Sequence, residues 1–318
     1  MNRKIAIDTG KRTTKVVYEA KGNTSLRLSF ETAMKENVTM TQDPTNHIVE
    51  YKGTKYLVGS QARTFIEMEN TKNTQTHKIC VLTALALACN SGDTVKVAIG
   101  CPLDIFFNEQ ERLSYRNNML PLGKHTITVD GDRKTIEILS SIVLPECYGA
   151  LYLKEKEFKD EVINVIDIGG LNLNAAIFKN GVLQEGSIVT LQRGGIVIAE
   201  ESLKELRNVT DPHVKSALEN LKAESIEYEI QKGFMKNIPE SKDIFAKVRQ
   251  STVEDIYNIL RKHDYNFINQ FYFMGGTSYL LKEEIIKKFR SNYCSFMAES
   301  LDDMQFINAQ GFYMALKY

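Results

Sequence analysis

At 318 residues, 43% hydrophobic and 25% charged, with 6 Pro and 19 Gly, the chain holds about two domains' worth of globular protein and lies outside the disordered, collagen-like and mini-protein classes. Its 40 basic and 40 acidic side chains cancel, so no global field draws it to nucleic acid or an anionic membrane, and little long-range repulsion opposes self-association. Five cysteines without a C-x-x-C and five histidines without helical ligand spacing exclude a disulfide framework and a dedicated zinc site, and fit buried thiols in a reducing cytoplasm.

From the N-terminus, only Ile5, Ala6 and Ile7 are apolar before Asp8, too few for a secretory segment. Residues 4 to 22 (KIAIDTGKRTTKVVYEAKG) read as an apolar strand ending in Asp8, then Gly10, a polar loop, a second strand and Gly22. The segment YKGTKYLVGSQA follows at 51 to 62, and KICVLTALALAC from Lys78 to Cys89 is apolar nearly all round, a buried helix. Within it, Val81 to Cys89 is half the length of a membrane span, so a soluble cytoplasmic protein is expected. Next come a buried strand with a Gly-x-Pro exit (VKVAIGCPLDIFF, 95 to 107) and a strand running through Pro145-Glu146 into a helix (SSIVLPECYGALYL, 140 to 153). Pro145 stiffens that junction and aims Glu146 from a strand's carboxyl end, where α/β folds place their chemistry. The bland alternative is a carboxylate favouring the helix dipole.

Half a chain later the first pattern returns: residues 163 to 181 (INVIDIGGLNLNAAIFKNG) place Asp167, Gly169 and Gly181 as Asp8, Gly10 and Gly22 are placed before. One Asp-x-Gly hairpin is an ordinary turn. Two at matching offsets indicate a duplicated fold whose loops cradle phosphate on backbone N–H groups, with a divalent cation beside each carboxylate. The signatures of P-loop, dinucleotide-binding and serine-hydrolase folds are absent. Gln192-Arg193-Gly194-Gly195 opens a helical run to about Leu206. Val214, Leu218 and Leu221 follow at helical spacing, then Ile226, Tyr228 and Ile230 alternate. At 271 to 278, FYFMGGTS is a strand, a Gly pair and hydroxyl caps, leading into a helix carrying Leu281, Ile285 and Phe289.

Taken in order, IDTGKRTTK, LPECYGA, IDIGGLNLN, FMGGTS and the C-terminal FINAQGFYMAL resemble the nucleotide-binding segments of the actin, sugar-kinase and heat-shock chaperone superfamily, over nearly the whole chain. Within it, YKGTKYLVGSQA, GCPLDIF and the Pro-Glu before a helix are similar to bacterial plasmid-segregation actins of the ParM/StbA kind. The resemblance implies an α/β, actin-like (ribonuclease-H-like) duplicated two-lobed fold with nucleotide in the interlobe cleft. Its domain I would comprise residues 1–158 plus 299–318, and its domain II residues 159–298. It implies a catalytic set of Glu146, which orients the attacking water, with Asp8 and Asp167 holding Mg2+ through waters. Phosphate contacts are implied for Gly10, Lys11, Arg12, Thr13 and Lys15, and for Gly169, Gly170, Leu171 and Asn172. Gly275, Gly276 and Thr277 resemble the adenosine motif, Gly194 and Gly195 a part of the opposite wall, and Glu229 and Lys232 residues near the base.

The chain departs from that pattern at Leu171, Asn172 and Asn174, where a hydroxyl and an Asp are usual, and at Lys11 and Arg12, which either add phosphate contacts or point outward. The implied cofactors are Mg2+ and ATP, with GTP as the other candidate. The implied activity is an ATPase that polymerises on Mg-ATP and drives plasmid segregation, hydrolysis destabilising the filament. Its partners would be further copies of itself and a DNA-binding adaptor on a plasmid centromere, with no direct nucleic-acid or membrane contact. The alternative is a metabolite (sugar-type) kinase on the same fold, for which no acceptor pocket with an Asp base is marked in the sequence.

Overall fold

The structure, a computed structural model, describes residues 2–20, 24–41, 43–62 and 72–317. Backbone contacts divide it into one unit of Met1–Lys156 with Phe306–Tyr318 and a second of Glu157–Gln305.

Among the described residues the first unit has nine strands: β1 (Asn2–Thr9), β2 (Thr13–Glu19), β3 (Ser25–Glu31), β4 (Met34–Glu36), β5 (His47–Tyr51), β6 (Thr54–Val58), β7 (Thr94–Cys101), β8 (Gly123–Val129) and β9 (Asp132–Pro145). They lie in the order β3-β2-β1-β7-β9-β8-β5-β6-β4, with β1, β7 and β9 parallel and the flanking pairs antiparallel. β1 alternates little because both faces are covered, and Ile5, Ala6 and Ile7 are fully buried. Helix α1 (Gln75–Ala88) supplies one cover: every residue from Ile79 to Ala86 is buried, as its all-round apolar sequence requires. Each Leu or Val so buried contributes roughly 1.5–3 kcal/mol of transfer free energy. Thr74 caps the helix by accepting the His77 N–H at 3.3 Å, so it begins earlier than its apolar run. Helices α2 (Leu103–Phe107) and α3 (Glu109–Met119) follow β7, and α4 (Tyr148–Leu153) follows β9. The helical turn α5 (Glu155–Phe158) carries the chain across the division.

The second unit repeats the core of the first. Its strands are β10 (Val162–Ile168), β11 (Leu173–Lys179), β12 (Val182–Leu183), β13 (Val189–Leu191), β14 (Gln270–Met274) and β15 (Cys294–Phe296). They run β12-β11-β10-β14-β15, with β13 beside β11 and β10, β14 and β15 parallel. An antiparallel hairpin followed by parallel strands is thus shared by both sheets, the duplication seen in the sequence. Gly181 closes the β11–β12 turn with positive φ, whereas Gly22, its counterpart, lies outside the described residues. Helices α6 (Gly195–Arg207), α7 (Pro212–Leu218), α8 (Ala223–Lys232), α9 (Ser241–Lys262), α10 (Gly276–Leu280), α11 (Lys282–Phe289) and α12 (Leu301–Gln305) complete this unit. The 22-residue α9 buries Phe245, Val248, Thr252, Val253, Ile256 and Leu260 along one stripe, packed in one core with α6, α11 and β14.

The alternating Ile226, Tyr228 and Ile230 lie on α8, where Ile226 and Ile230, one turn apart, are buried and Tyr228 is exposed. One local reading is corrected here. The hydroxyls after Met274 do not cap the following helix; Ser278 bonds back to the Met274 carbonyl and Thr277 reaches elsewhere.

Finally α13 (Ile307–Ala315) returns to the first unit and crosses α4 with backbones in contact. A Cβ on Gly311 would stand 2.4 Å from the Gly149 Cα, so only glycine fits this crossing.

Candidate functional site

In the first unit the β1–β2 hairpin presents residues 10 to 12 as its loop. The Gly10 N–H closes that loop on the Asp8 and Thr13 carbonyls, both at 3.1 Å. Asp8, only 4% exposed at the end of β1, sits opposite Lys15 in the ladder and meets its ammonium at 3.4 Å. Lys11 and Arg12 are half-buried, not fully solvated. Burial pushes the Lys11 ammonium below its usual value, Lys72 pushes the same way, and Glu146 opposes both.

Glu146 follows the last residue of β9 and is buried. Two backbone features fix it: its N–H donates to the Cys101 carbonyl at 3.1 Å, and Cys147, which caps α4, takes a left-handed φ of 74°. Its carboxylate pairs with Lys72, whose side chain is 4% exposed against 11% for Glu146. Around the pair stand neutral groups. Burial pushes the Cys101 thiol and the Tyr115 phenol up, the phenol donating to the Gly100 carbonyl at 2.9 Å. His77 is pushed down to about 3 by burial first, then by Lys72 and Lys11. Sequence reasoning missed Lys72 and His77. Thr74, ahead of the apolar run, signals the helix start, but nothing in spacing links position 72 to 146.

In the second unit three glycine segments meet. Gly169 closes the β10–β11 loop with its N–H on the Asn172 carbonyl at 2.8 Å. The loop's carbonyls are then taken from behind: Leu171 by the Gly194 N–H (3.0 Å), Gly169 by the Gly195 N–H (3.1 Å) and the Thr277 hydroxyl (2.8 Å), and Gly170 by the Ile196 N–H (2.8 Å). Gly194 and Gly195 therefore brace the loop through their own N–H groups. Gly275, with φ of 86°, passes so close to the end of β10 that a Cβ would lie 2.4 Å from Asp167 Oδ1. Gly276 and Thr277 follow as the first turn of α10.

The departures in this loop acquire a physical reason. Leu171 is buried at 4% exposure and packs inward, where a hydroxyl would be misplaced. Asn174 accepts the Thr190 hydroxyl at 3.0 Å and so ties β11 to β13. Glu229 and Lys232 pair with each other at 3.6 Å on α8, the ammonium standing 3.9 Å from the Tyr228 ring centre. Among the described residues neither has a polar contact to the loops at 169–172, 194–195 or 275–277.

The donor set fits magnesium of one kind only. Among the described residues no three His, Cys, Asp or Glu side chains gather as a cage, whereas each unit buries one carboxylate at the root of a Gly loop, Asp8 at 4% and Asp167 at 9% exposure. Mg2+ is held in that manner, through waters and a ligand's phosphates, not by an all-protein shell.

Comparison with known proteins agrees with this architecture. Residues 6–149 match the family model for the N-terminal domain of actin-like proteins. No curated protein sequence matches the chain. Among solved structures, the Alp12 filament is 24% identical, with 99% of this chain and 98% of that one aligned and a TM-score of 0.74. The archaeal actin homologue Ta0583 is 17% identical over 99% of both chains, with a TM-score of 0.76, and has also been solved as a complex with ADP. ParM of a 15-stranded filament from Clostridium botulinum is 21% identical, covering 100% and 99% of the two chains at a TM-score of 0.74. The chain has the actin-like α/β fold. No helix among the described residues is long and apolar enough to cross a membrane.

Proposed function

We propose that this protein is an actin-like nucleoside triphosphatase that binds Mg-ATP, assembles with copies of itself into filaments, and segregates plasmids through a DNA-binding adaptor on the centromere. The observation that carries the reading is the Asp-Gly hairpin, present in both units on the same strand pattern with a buried Asp at its root. Filament formation by the Alp12 and Clostridium botulinum proteins, which share the fold, supports the assembly step.

In this reading Asp8 and Asp167 hold Mg2+ through waters. The metal, when bound, neutralises charge developing on the phosphates. Because Gly10 and Gly169 spend their N–H groups closing their own loops, contact with phosphate falls to Lys11, Arg12 and Thr13 in the first loop and to Gly170, Leu171 and Asn172 in the second. Lys15 moves from Asp8 to phosphate, exchanging one charge-assisted contact for another. Gly275 and Gly276 offer bare backbone to the adenosine, with Thr277, its hydroxyl bonded to the Gly169 carbonyl, beside them. Glu146 accepts a hydrogen bond from the attacking water and aligns it, since phosphoryl transfer depends on positioning and electrostatics more than on a strong base. Head-to-tail contacts between copies do not close on themselves, so they propagate as filaments.

The test mixes purified protein with Mg-ATP alone, with Mg-ADP and Mg-GTP as controls, following light scattering and phosphate release together. Scattering that rises above a critical concentration, with phosphate trailing it, is the expected outcome; Glu146→Ala should keep the rise and slow phosphate release by on the order of 10²-fold. Flat scattering with tight ATP binding would overturn assembly and redirect the search to a phosphoryl acceptor, as for a metabolite kinase.

A further inference from the structure

The segment entering α1 is held at the two residues that follow Lys72. Asn73 Oδ1 accepts from Asn118 of α3 at 2.6 Å, and Thr74 caps α1 while its hydroxyl meets His77 Nδ1 at 2.8 Å. Lys72 extends from this fixed backbone to Glu146 Oε1 with its side chain almost wholly buried. Glu146 is anchored too, by its own N–H and by the turn at Cys147, but those bonds hold only its main chain. A glutamate side chain has three torsions, and an ion pair to a second element restrains them at their far end.

We propose that Lys72 is a positioning residue for hydrolysis: delivered by the rigid entry to α1, its ammonium fixes the direction in which the Glu146 carboxylate faces the attacking water. The inference rests on the reading of Glu146 given above. The surroundings single out this pairing. Burial holds His77, Cys101 and Tyr115, three of the titratable groups near it, in their neutral forms, and Lys11 adds a second cation from the β1–β2 loop. Asp8 meets Lys15, and Lys72 pairs with Glu146.

The experiment compares full-length wild type, Lys72→Gln, Lys72→Arg, Glu146→Gln and the Lys72→Gln/Glu146→Gln double variant. It reads phosphate release at saturating Mg-ATP and, separately, the dissociation constant of a fluorescent ATP analogue. Lys72→Gln should lower the maximal rate by on the order of tenfold to a hundredfold, the scale of a misplaced reacting group, with nucleotide affinity within about threefold of wild type. Lys72→Arg should recover most of that rate, and the double variant should be no slower than Glu146→Gln, because Lys72 acts through that carboxylate.

A double variant slower than Glu146→Gln by the full Lys72→Gln factor would overturn the proposal and make Lys72 a direct phosphate ligand. An affinity loss as large as the rate loss, or a wild-type rate in Lys72→Gln, would also overturn it. In each of those cases a slow Glu146→Gln leaves the reading of the site standing; absence of hydrolysis in the wild type removes the reading and this inference together. If Lys72→Gln alone fails to fold, Lys72→Arg and the charge-free double variant still decide, since neither leaves a lone buried charge.

Discussion

His77 is a buried base in a cationic setting. Its Nε2 has no hydrogen-bond partner among the described residues, and burial, Lys72 and Lys11 hold its folded value near 3 against the ordinary 6.5. The unfolded chain therefore binds this proton first. Stability from His77 is complete above about pH 6.5 and is lost as pH falls toward 3, with a slope approaching about 1.4 kcal/mol per pH unit. Urea denaturation at several pH values should show this acid slope in wild type and a shallower one, by about 1 kcal/mol per unit, in His77→Gln; equal slopes would show that His77 does not titrate in this way. At the same scale, the sequence made Glu146 legible because Pro145 and the strand-to-helix switch are local. Lys72 and His77 were not legible, since a partner 74 positions away leaves no periodic trace. Leu171 and Asn174 were visible as departures, but their reason, one packed inward and the other bonded to Thr190, needed three dimensions.

Among the elements, the crossing of α4 and α13 bears most directly on the candidate site, because α4 starts two residues after Glu146. A methyl on Gly311 would meet the Gly149 Cα at 2.4 Å and its carbonyl oxygen at the same distance, both of them backbone atoms that cannot rotate away. Gly311→Ala should destabilise the protein by about 1–3 kcal/mol, the usual range for overpacking, and slow phosphate release as α4 shifts at its N-terminus. Denaturant midpoints and steady-state rates check both; an unchanged midpoint would mean the helices separate without penalty. Both glycines lie in segments quoted from the sequence, LPECYGA and FINAQGFYMAL, yet their contact joins positions far apart in the chain. The hairpins and α1 were readable because their signals are local. Around Ile226, three apolar residues at every second position fit a strand, while Ile226 and Ile230 one turn apart fit a helix equally well. Packing of α8 on α6 decided between them.

For the molecule as a whole, nucleotide binding and assembly should both appear as stability. A ligand that binds only the folded protein adds about 2.7 kcal/mol at a hundredfold excess over its dissociation constant, whatever the protein concentration. Filament contacts add a further term that does depend on protein concentration, because each added copy is a ligand of the folded state. The formal charge of zero leaves little net repulsion between copies to oppose that term. Thermal melts in Mg-ADP are expected to shift upward by a fixed amount at any protein concentration. Melts in Mg-ATP should climb further as the protein is concentrated, and the climb should persist longest in Glu146→Ala, where the triphosphate survives the scan. An Mg-ATP shift independent of protein concentration in that variant would establish nucleotide binding and refute polymerisation. Loss of both shifts in Asp167→Ala would locate part of the nucleotide's hold on the second hairpin.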